Sequence, residues 1–288
     1  MGNDSLPERV TVPVLKARKS AGPKIAALTA YDYTLARLLD QAGVDLILVG
    51  DSLGMVVQGL ENTLAVSLEE MAYHTRCVAR GVRRALVAAD LPFLSYQPSV
   101  EKAIESAGRL LKEGAQAVKL EGGLPVADHI AALTRFDIPV IGHVGLTPQS
   151  YHRMGGHRIQ GRQSDADGRL EAGTRERILA DALAVESAGA FTAVIEGVPP
   201  ELAAEITDRL KIPTLGIGAG TDCDGQILVA ADLLGLTLNP PRFARTYADC
   251  GAAIKAAAAA FTADVRAAHS PTRRAASGVE GQARGYAN

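Results

Sequence analysis

The sequence predicts an α/β protein, a single-domain (β/α)8 TIM barrel, and three observations point to this fold. Short β-rich apolar runs alternate with stretches of helical period over about 250 residues of the 288. Eight such runs occur, and five of them end on a polar or ionisable side chain. An open doubly wound sheet stays possible, since periodicity cannot show closure. No Gly-x-Gly-x-x-Gly follows the first run, which argues against a dinucleotide-binding fold.

The eight strands are predicted from runs rich in Val, Ile, Leu and Ala, the composition of parallel strands that are covered on both faces. Each run is short and is followed by a segment of different period. The runs begin at Lys24, Val44, Ala85, Ala117, Pro139, Ala193, Pro213 and Ile227.

Helices are predicted between most of these strands. Ser67 and Glu70 have the spacing of a capping box, in which each side chain satisfies a free backbone donor at the start of a helix. Three helices stop at a glycine, Gly43, Gly114 or Gly189, because a left-handed residue at a helix end needs no Cβ. The predicted helices cover 32–43, 67–80, 99–114, 126–136, 174–189 and 200–210, and an Ala-rich helix follows around 252–268.

Three segments lie outside the alternating pattern. Residues 1–22 are expected to cover one end of the barrel, and the barrel domain is expected to span 23–268. The connection at 145–173 is long, polar and rich in Gly, Arg and His, and connections of this length are usually functional or mobile. The tail at 269–288 has the small, polar composition of a disordered end.

The composition excludes several classes of function. A formal net charge of −2 and the absence of tryptophan give no general reason to bind nucleic acid or an anionic membrane. The N-terminus lacks the apolar core of a signal peptide, and no apolar run is long enough to span a bilayer. Cys77, Cys223 and Cys250 form no C-x-x-C pair and no zinc pattern, so we expect a reduced, cytoplasmic protein.

The polar strand ends predict an active site, because the carboxyl ends of barrel strands open onto one mouth. Three converging carboxylates without a partner would repel one another and raise their pKa values, and a hard divalent cation such as Mg²⁺ would relieve this. The alternative is that these carboxylates cap helices or pair with Lys and Arg. The predicted metal ligands are Asp51, Asp90 and Glu121.

Three further side chains are candidates at the same mouth. Lys119 shares a strand face with Glu121 and could bind a substrate carboxylate or an enolate oxygen, or the two could simply neutralise each other. Glu196, expected across the mouth from the metal ligands, could act as a general base or could cap the next helix. His143 could donate to an oxyanion or relay a proton, although a lone histidine is often structural.

Two loops carry weaker signals. The glycine-rich segment 216–220 is similar to the phosphate-binding loop of many barrels, but a tight turn needs the same glycines. The positive side chains of the long connection could steer an anionic substrate or could form a solvated face. They are Arg153, His157, Arg158 and Arg162.

Seven fragments occur in the same order as in the ketopantoate hydroxymethyltransferase family, which the chain resembles from about residue 10 to residue 261. They are Thr-Ala-Tyr-Asp at 29–32, Val-Gly-Asp-Ser-Leu-Gly at 49–54, Ala-Asp-Leu-Pro-Phe at 89–93, Val-Lys-Leu-Glu-Gly at 118–122, Ile-Gly-His-Val-Gly-Leu-Thr-Pro-Gln-Ser at 141–150, Ile-Gln-Gly-Arg at 159–162 and Gly-Ile-Gly-Ala-Gly at 216–220.

The resemblance implies a barrel related to the phosphoenolpyruvate/pyruvate-binding enzymes. The expected reaction moves a one-carbon unit from 5,10-methylenetetrahydrofolate to 3-methyl-2-oxobutanoate, giving 2-dehydropantoate for pantothenate and coenzyme A synthesis. The family pattern also implies a homo-oligomer, usually a decamer. It assigns Mg²⁺ to Asp51, Asp90 and Glu121, the oxo-acid site to Asp51, Ser52, Asp90 and Lys119, the proton acceptor to Glu196, and a place in the site to His143.

Two other functions remain possible at this point. One is a Mg²⁺-dependent aldolase or lyase that acts on another 2-oxo acid and does not need folate. The other is a non-catalytic barrel that binds an oxo acid, which would have no use for a separate base such as Glu196.

Overall fold

A closed barrel of eight parallel strands forms the centre of the molecule, as the sequence predicts. The computed structural model describes residues 8–19, 22–163 and 171–269. The strands pair in chain order, and the last pairs with the first. Each begins within two residues of its predicted start. They are β1 (Ile25–Thr29), β2 (Leu46–Val49), β3 (Leu86–Asp90), β4 (Ala117–Glu121), β5 (Val140–Gly145), β6 (Thr192–Glu196), β7 (Thr214–Ile217) and β8 (Gly225–Leu228).

Helices surround the barrel and confirm the predicted alternation. The capping box at Ser67 and Glu70 is formed in both directions. The helices are α1 (Val12–Lys16), α2 (Tyr33–Gln41), α3 (Leu53–Val56), α4 (Leu68–Gly81), α5 (Val100–Lys112), α6 (Ala127–Arg135), α7 (Tyr151–Met154), α8 (Arg175–Ser187), α9 (Pro200–Arg209), α10 (Ala230–Leu233) and α11 (Cys250–Arg266), with short 3-10 turns at Leu124–Val126 and Pro148–Ser150.

The core has two parts because successive side chains of a strand point to opposite faces. Ile47 and Val49 pack outward in the core shared with the helices, whereas Leu46 and Leu48 pack inside the barrel. The same alternation places Val118 and Leu120 of β4 in the outer core. Lys119 lies between these two residues and Glu121 follows them, so the side chains of Lys119 and Glu121 are directed into the barrel.

The N-terminal segment packs against the end of the barrel where the strands begin. Val10 donates its backbone N–H to the carbonyl of Arg84, just before β3, at 2.8 Å. Lys19 Nζ lies 2.8 Å from Asp224 Oδ2, just before β8. These contacts agree with the expectation that the N-terminal segment covers the end of the barrel where the strands begin. The division into cover, barrel and tail stays a prediction, and residues 1–7, 20–21 and 270–288 of it lie outside the described residues.

Helix α11 forms where the Ala-rich helix is predicted, but it packs differently from the other long helices. None of its residues is buried. Ile254, Phe261 and Val265 are half exposed or more, and their spacing places them on one face of the helix. In the part of the chain that the structure describes, no helix has the length and apolar character needed to cross a membrane.

Candidate active site

Five of the predicted site residues meet inside the barrel at the carboxyl ends of neighbouring strands. The strand register pairs Asp90 with Lys119 and Glu121 with His143. Burial of this many ionisable groups is unusual unless they pair with one another or meet a ligand. The residues are all at most 5% exposed: Asp51, Asp90, Lys119, Glu121 and His143.

Lys119 stands at the centre of this group. Its Nζ lies 3.1 Å from Asp90 Oδ1 and 3.6 Å from Glu121 Oε1. The same nitrogen lies 3.2 Å from His143 Nδ1. Because an ammonium group only donates, His143 Nδ1 must be the acceptor of this contact. Lys119 therefore shares its charge between two carboxylates instead of neutralising Glu121 alone.

The charge in this cluster is unbalanced. Burial raises the pKa of Asp90 to about 7, and the nearby charge of Asp51 adds to this, although Lys119 acts in the opposite direction. Burial also raises the pKa of Glu121 well above its usual range. Burial alone would lower the pKa of Lys119, but the surrounding carboxylates raise it. One ammonium faces three carboxyl groups, so a divalent cation would stabilise their charged forms.

The donor set fits a hard cation. Asp90 Oδ1 and Glu121 Oε1 are buried and accept no hydrogen bond, although Lys119 lies within 4 Å of both. Carboxylate oxygens of this kind are the ligands that Mg²⁺ prefers. Among the described residues, no three His, Cys, Asp or Glu side chains are already arranged as a metal site. The chemistry of these oxygens, rather than a preformed geometry, is therefore what fits the ion.

Backbone and side-chain donors hold the three carboxylates in place. The N–H of Asp51 donates to Asp90 Oδ2 at 3.0 Å. Gln149 donates twice: its backbone N–H to Glu121 Oε2 and its side-chain amide to Asp51 Oδ2, both at 2.9 Å. The sequence analysis did not select Gln149, although it lies in one of the seven family-like fragments. A neutral side chain in a turn gave no chemical signal.

Ser52 lies directly after the first carboxylate, at the start of α3. Its Oγ is 2.8 Å from the hydroxyl of Tyr31, which burial keeps protonated by raising its pKa. Gly50 allows this close arrangement, because a Cβ at that position would lie 2.7 Å from Ser52 Oγ. Ser52 is thus oriented at the rim of the carboxylate cluster.

Glu196 ends β6 and lies closer to the cluster than its predicted place across the mouth implies. Its Oε2 is 3.2 Å from His143 Nε2, at an angle that falls short of hydrogen-bond geometry, and His143 Nδ1 is 3.7 Å from Glu121 Oε1. A single imidazole therefore separates Glu196 from Glu121. Helix α9 begins after Pro199 with no side-chain cap, so Glu196 does not cap it.

His143 is a neutral spacer between the buried cluster and Glu196. Burial, and next the charge of Lys119, lower its pKa. Its side chain is 3% exposed, whereas that of Glu196 is 16% exposed. Glu196 thus has access to the barrel mouth that the residues beneath it lack.

One cavity reaches this cluster, and a second borders the loop after β6 without touching the cluster. One of about 370 Å³ reaches Glu121 and Gln149 and is otherwise largely apolar, with Phe93 and Val144 in its wall and Arg153 at its edge. The other, of about 490 Å³, lies beyond Glu196 and is lined by Arg162, among others. The first borders a predicted metal ligand directly, so it offers the better route for a substrate.

The structure places the glycine-rich segment 216–220 and the positive side chains of the connection at 145–173 as follows. Gly218 and Gly220 adopt left-handed backbone conformations, which a tight turn requires. In the long connection, Arg153, His157, Arg158 and Arg162 are all exposed, and of these Arg153 and Arg162 also line cavities. Residues 164–170 of this connection lie outside the described residues.

Comparisons with known proteins identify the family. The profile of the ketopantoate hydroxymethyltransferase family matches residues 9–273, and the chain belongs to this family. A 3-methyl-2-oxobutanoate hydroxymethyltransferase from Pelobacter propionicus is 52% identical over 267 residues, covering 92% of this chain and 96% of that protein. The enzyme of the same name from Halorhodospira halophila is 54% identical over 264 residues, covering 91% and 92%.

Solved structures with low sequence identity share the fold. Phosphonopyruvate hydrolase in complex with oxalate and Mg²⁺ has a TM-score of 0.58 and 16% identity, covering 90% of this chain and 88% of that one. The 2,3-dimethylmalate lyase, a member of the PEP mutase/isocitrate lyase superfamily, has a TM-score of 0.59 and 17% identity, covering 94% and 92%. At this identity the likeness supports the barrel fold alone.

The central position of Lys119 leads to a stability prediction. We expect Lys119→Met to lower the free energy of unfolding by about 3 kcal/mol, because it leaves buried carboxylates without their cation. Urea denaturation without divalent cations, followed by circular dichroism, measures this change. Lys102→Met is the matched control, since Lys102 Nζ lies 3.8 Å from Glu105 on an exposed helix face and should cost at most about 1 kcal/mol. Equal effects of the two substitutions would contradict the central role of Lys119.

Proposed function

We propose that this member of the ketopantoate hydroxymethyltransferase family transfers a hydroxymethyl group from 5,10-methylenetetrahydrofolate to 3-methyl-2-oxobutanoate. The product is 2-dehydropantoate, a precursor for pantothenate and coenzyme A. One observation carries the proposal: a buried set of carboxylates surrounds Lys119, and a more exposed carboxylate, Glu196, stands one imidazole away. This arrangement provides a place for a charged oxo acid and a separate base beside it. Relatives more than 50% identical carry the corresponding enzyme name.

The oxo acid is expected to bind where the carboxylates and Lys119 meet. Asp51, Asp90 and Glu121 would hold Mg²⁺, which would polarise the keto group and acidify the neighbouring C3–H bond. The ammonium group of Lys119 would bind an oxygen of the substrate and stabilise negative charge as the enolate forms. The hydroxyl of Ser52, oriented by Tyr31, would donate to the substrate carboxylate.

Glu196 would accept the proton from C3. Its side chain is the most exposed of the ionisable groups around His143, so a substrate can approach it from the mouth. The C3 carbanion equivalent would form the new carbon–carbon bond to the methylene carbon, and one water would supply the hydroxyl of the product. Both bonds from that carbon to the folate nitrogens would break, and the nitrogens would take up the protons released from C3 and from water. The overall balance is oxo acid, methylenetetrahydrofolate and water giving 2-dehydropantoate and tetrahydrofolate. The folate is expected to enter through the cavity of about 370 Å³ that borders Glu121.

The base role of Glu196 can be tested apart from the full reaction. We expect Glu196→Gln to abolish deuterium exchange at C3 of 3-methyl-2-oxobutanoate, because the amide cannot accept the proton, while Mg²⁺ binding stays intact. Proton NMR in deuterium oxide measures the exchange, and calorimetry measures metal binding. Glu201→Gln, at an exposed position five residues later, should exchange at the wild-type rate. Unchanged exchange in Glu196→Gln would remove Glu196 from this role.

A coupled assay for 2-dehydropantoate tests the reaction itself. We expect product only when both Mg²⁺ and the folate are present, loss of activity after chelation, and recovery when Mg²⁺ is added back. If formaldehyde and the oxo acid gave product equally well without tetrahydrofolate, the aldolase would be favoured. Bound Mg²⁺ and oxo acid without turnover would favour the non-catalytic barrel.

The partners and setting of the enzyme are also part of the proposal. Helix α11 leaves Ile254, Phe261 and Val265 exposed on one face, a pattern that needs a covering surface. We expect a second copy of this chain to cover it within a homo-oligomer, a decamer by family resemblance, in the cytoplasm. Light scattering of the purified protein should give a mass near ten chains for wild type. Phe261→Glu should lower it, whereas Tyr73→Glu, equally exposed elsewhere, should not. A monomeric wild type would contradict this expectation.

A further inference from the structure

Gln149 contacts two of the three predicted metal ligands and has no role in the scheme above. It is buried in the 3-10 turn Pro148–Ser150, directly beyond β5. Its backbone N–H holds Glu121 Oε2, and its side-chain amide holds Asp51 Oδ2. These two carboxylates come from strands that do not pair with each other. One residue therefore links opposite sides of the cluster.

The orientation of the Gln149 amide is fixed by its neighbours. Its Nε2 faces two groups that can only accept, the carboxylate of Asp51 at 2.9 Å and the carbonyl of Leu91 at 3.0 Å. Its Oε1 lies 2.8 Å from the hydroxyl of Tyr96 and 3.1 Å from Gln97 Nε2. Reversing the amide would place its oxygen against two acceptors, so only this orientation satisfies all four positions.

The turn that carries Gln149 is itself held in place. The N–H of Ser150 donates to the carbonyl of Thr147, and the hydroxyl groups of these two residues lie 2.8 Å apart. The backbone N–H of Gln149 thus has a fixed direction toward Glu121. With Oε2 engaged there, Glu121 Oε1 is left facing Lys119 and His143 at 3.6 and 3.7 Å. The bond to Gln149 decides which oxygen of Glu121 is available to a ligand.

We propose that Gln149 is a positioning residue for metal binding, which selects the oxygens that Asp51 and Glu121 present to Mg²⁺. The inference rests on the proposed function, in which these carboxylates are the metal ligands. Hydrogen bonds to ligating carboxylates fix their orientation, and loss of such a partner typically weakens metal affinity by about 10- to 100-fold. Gln149 itself does not touch the ion or the reacting atoms in this assignment.

The substitution Gln149→Met removes the side-chain amide at nearly constant length and volume. The hydrogen bond from the backbone N–H of residue 149 to Glu121 remains. The variant therefore tests only the hydrogen bond from the side-chain amide to Asp51. We expect Mg²⁺ alone, titrated by calorimetry into the metal-free protein, to bind about tenfold more weakly than to wild type. The substitution Gln116→Met is the matched control, because Gln116 accepts from the N–H of Val87 at the opposite end of the barrel and should leave Mg²⁺ affinity unchanged.

A second variant covers the case in which Gln149→Met fails to fold. The substitution Gln97→Met removes the amide that donates to Gln149 Oε1 at 3.1 Å and leaves Gln149 itself in place. We expect it to weaken Mg²⁺ binding in the same direction. Tyr96 is unsuited to this test, because its hydroxyl also bonds the backbone of Glu121. A functional readout separates positioning from structural damage. Excess Mg²⁺ should restore the turnover of Gln149→Met, because the defect lies in metal affinity, whereas a distorted site would stay slow at any Mg²⁺ concentration.

The outcomes distinguish this inference from the function on which it rests. Wild-type protein that binds no Mg²⁺ would overturn the proposed metal site. Wild-type binding together with variants that bind Mg²⁺ within about twofold of it would overturn only the positioning role of Gln149. Tighter binding by Gln149→Met would also overturn it, because the amide would then compete with the ion for Asp51.

Discussion

The arrangement of this site depends on one buried ammonium group. Lys119 is the cation of a cluster with three carboxyl groups, and its Nζ contacts Asp90, Glu121 and His143 within 3.6 Å. In a protein interior an excess of carboxylate charge costs free energy of folding unless a ligand supplies the missing positive charge. The buried residues therefore form a cluster in which carboxyl groups outnumber the ammonium group. Hydrogen bonds from Asp51 and Gln149 hold the carboxylates without reducing their negative charge.

Most of the fold, and the position of the ionisable cluster, could be predicted from the sequence. Both depend on the alternation of side chains between the two faces of a strand. Strand parity alone places Lys119 and Glu121 on the same face, and the apolar neighbours Val118 and Leu120 identify that face as the inner one. Barrel closure was an expectation from strand number and chain order. It needed the structure, since the pairing of β8 with β1 leaves no local pattern.

The contacts that could not be predicted are those between loops and between side chains far apart in sequence. Gln149 meets Asp51 across 98 positions of the chain, and no spacing rule relates a turn amide to a strand-end carboxylate. Helix α11 shows a similar limit. Its Ala-rich composition predicted a helix correctly, but composition does not say which surface covers the helix. Ile254 and Phe261 on one face of it are more than half exposed among the residues that the structure describes.

His143 allows the two carboxylates on either side of its ring, Glu121 and Glu196, to have different environments. Because Lys119 can only donate, it fixes Nδ1 as an acceptor, and the proton of a neutral imidazole must then be on Nε2, the nitrogen that lies 3.2 Å from Glu196 Oε2. The charge on Lys119 thereby determines which tautomer of His143 lies beside Glu196, although the two side chains do not meet in hydrogen-bond geometry. Glu121, on the other side of the ring, is buried and faces the ammonium directly. Separate environments of this kind let neighbouring carboxyl groups take separate roles, so His143 keeps the environment of the buried Glu121 distinct from that of the more exposed Glu196.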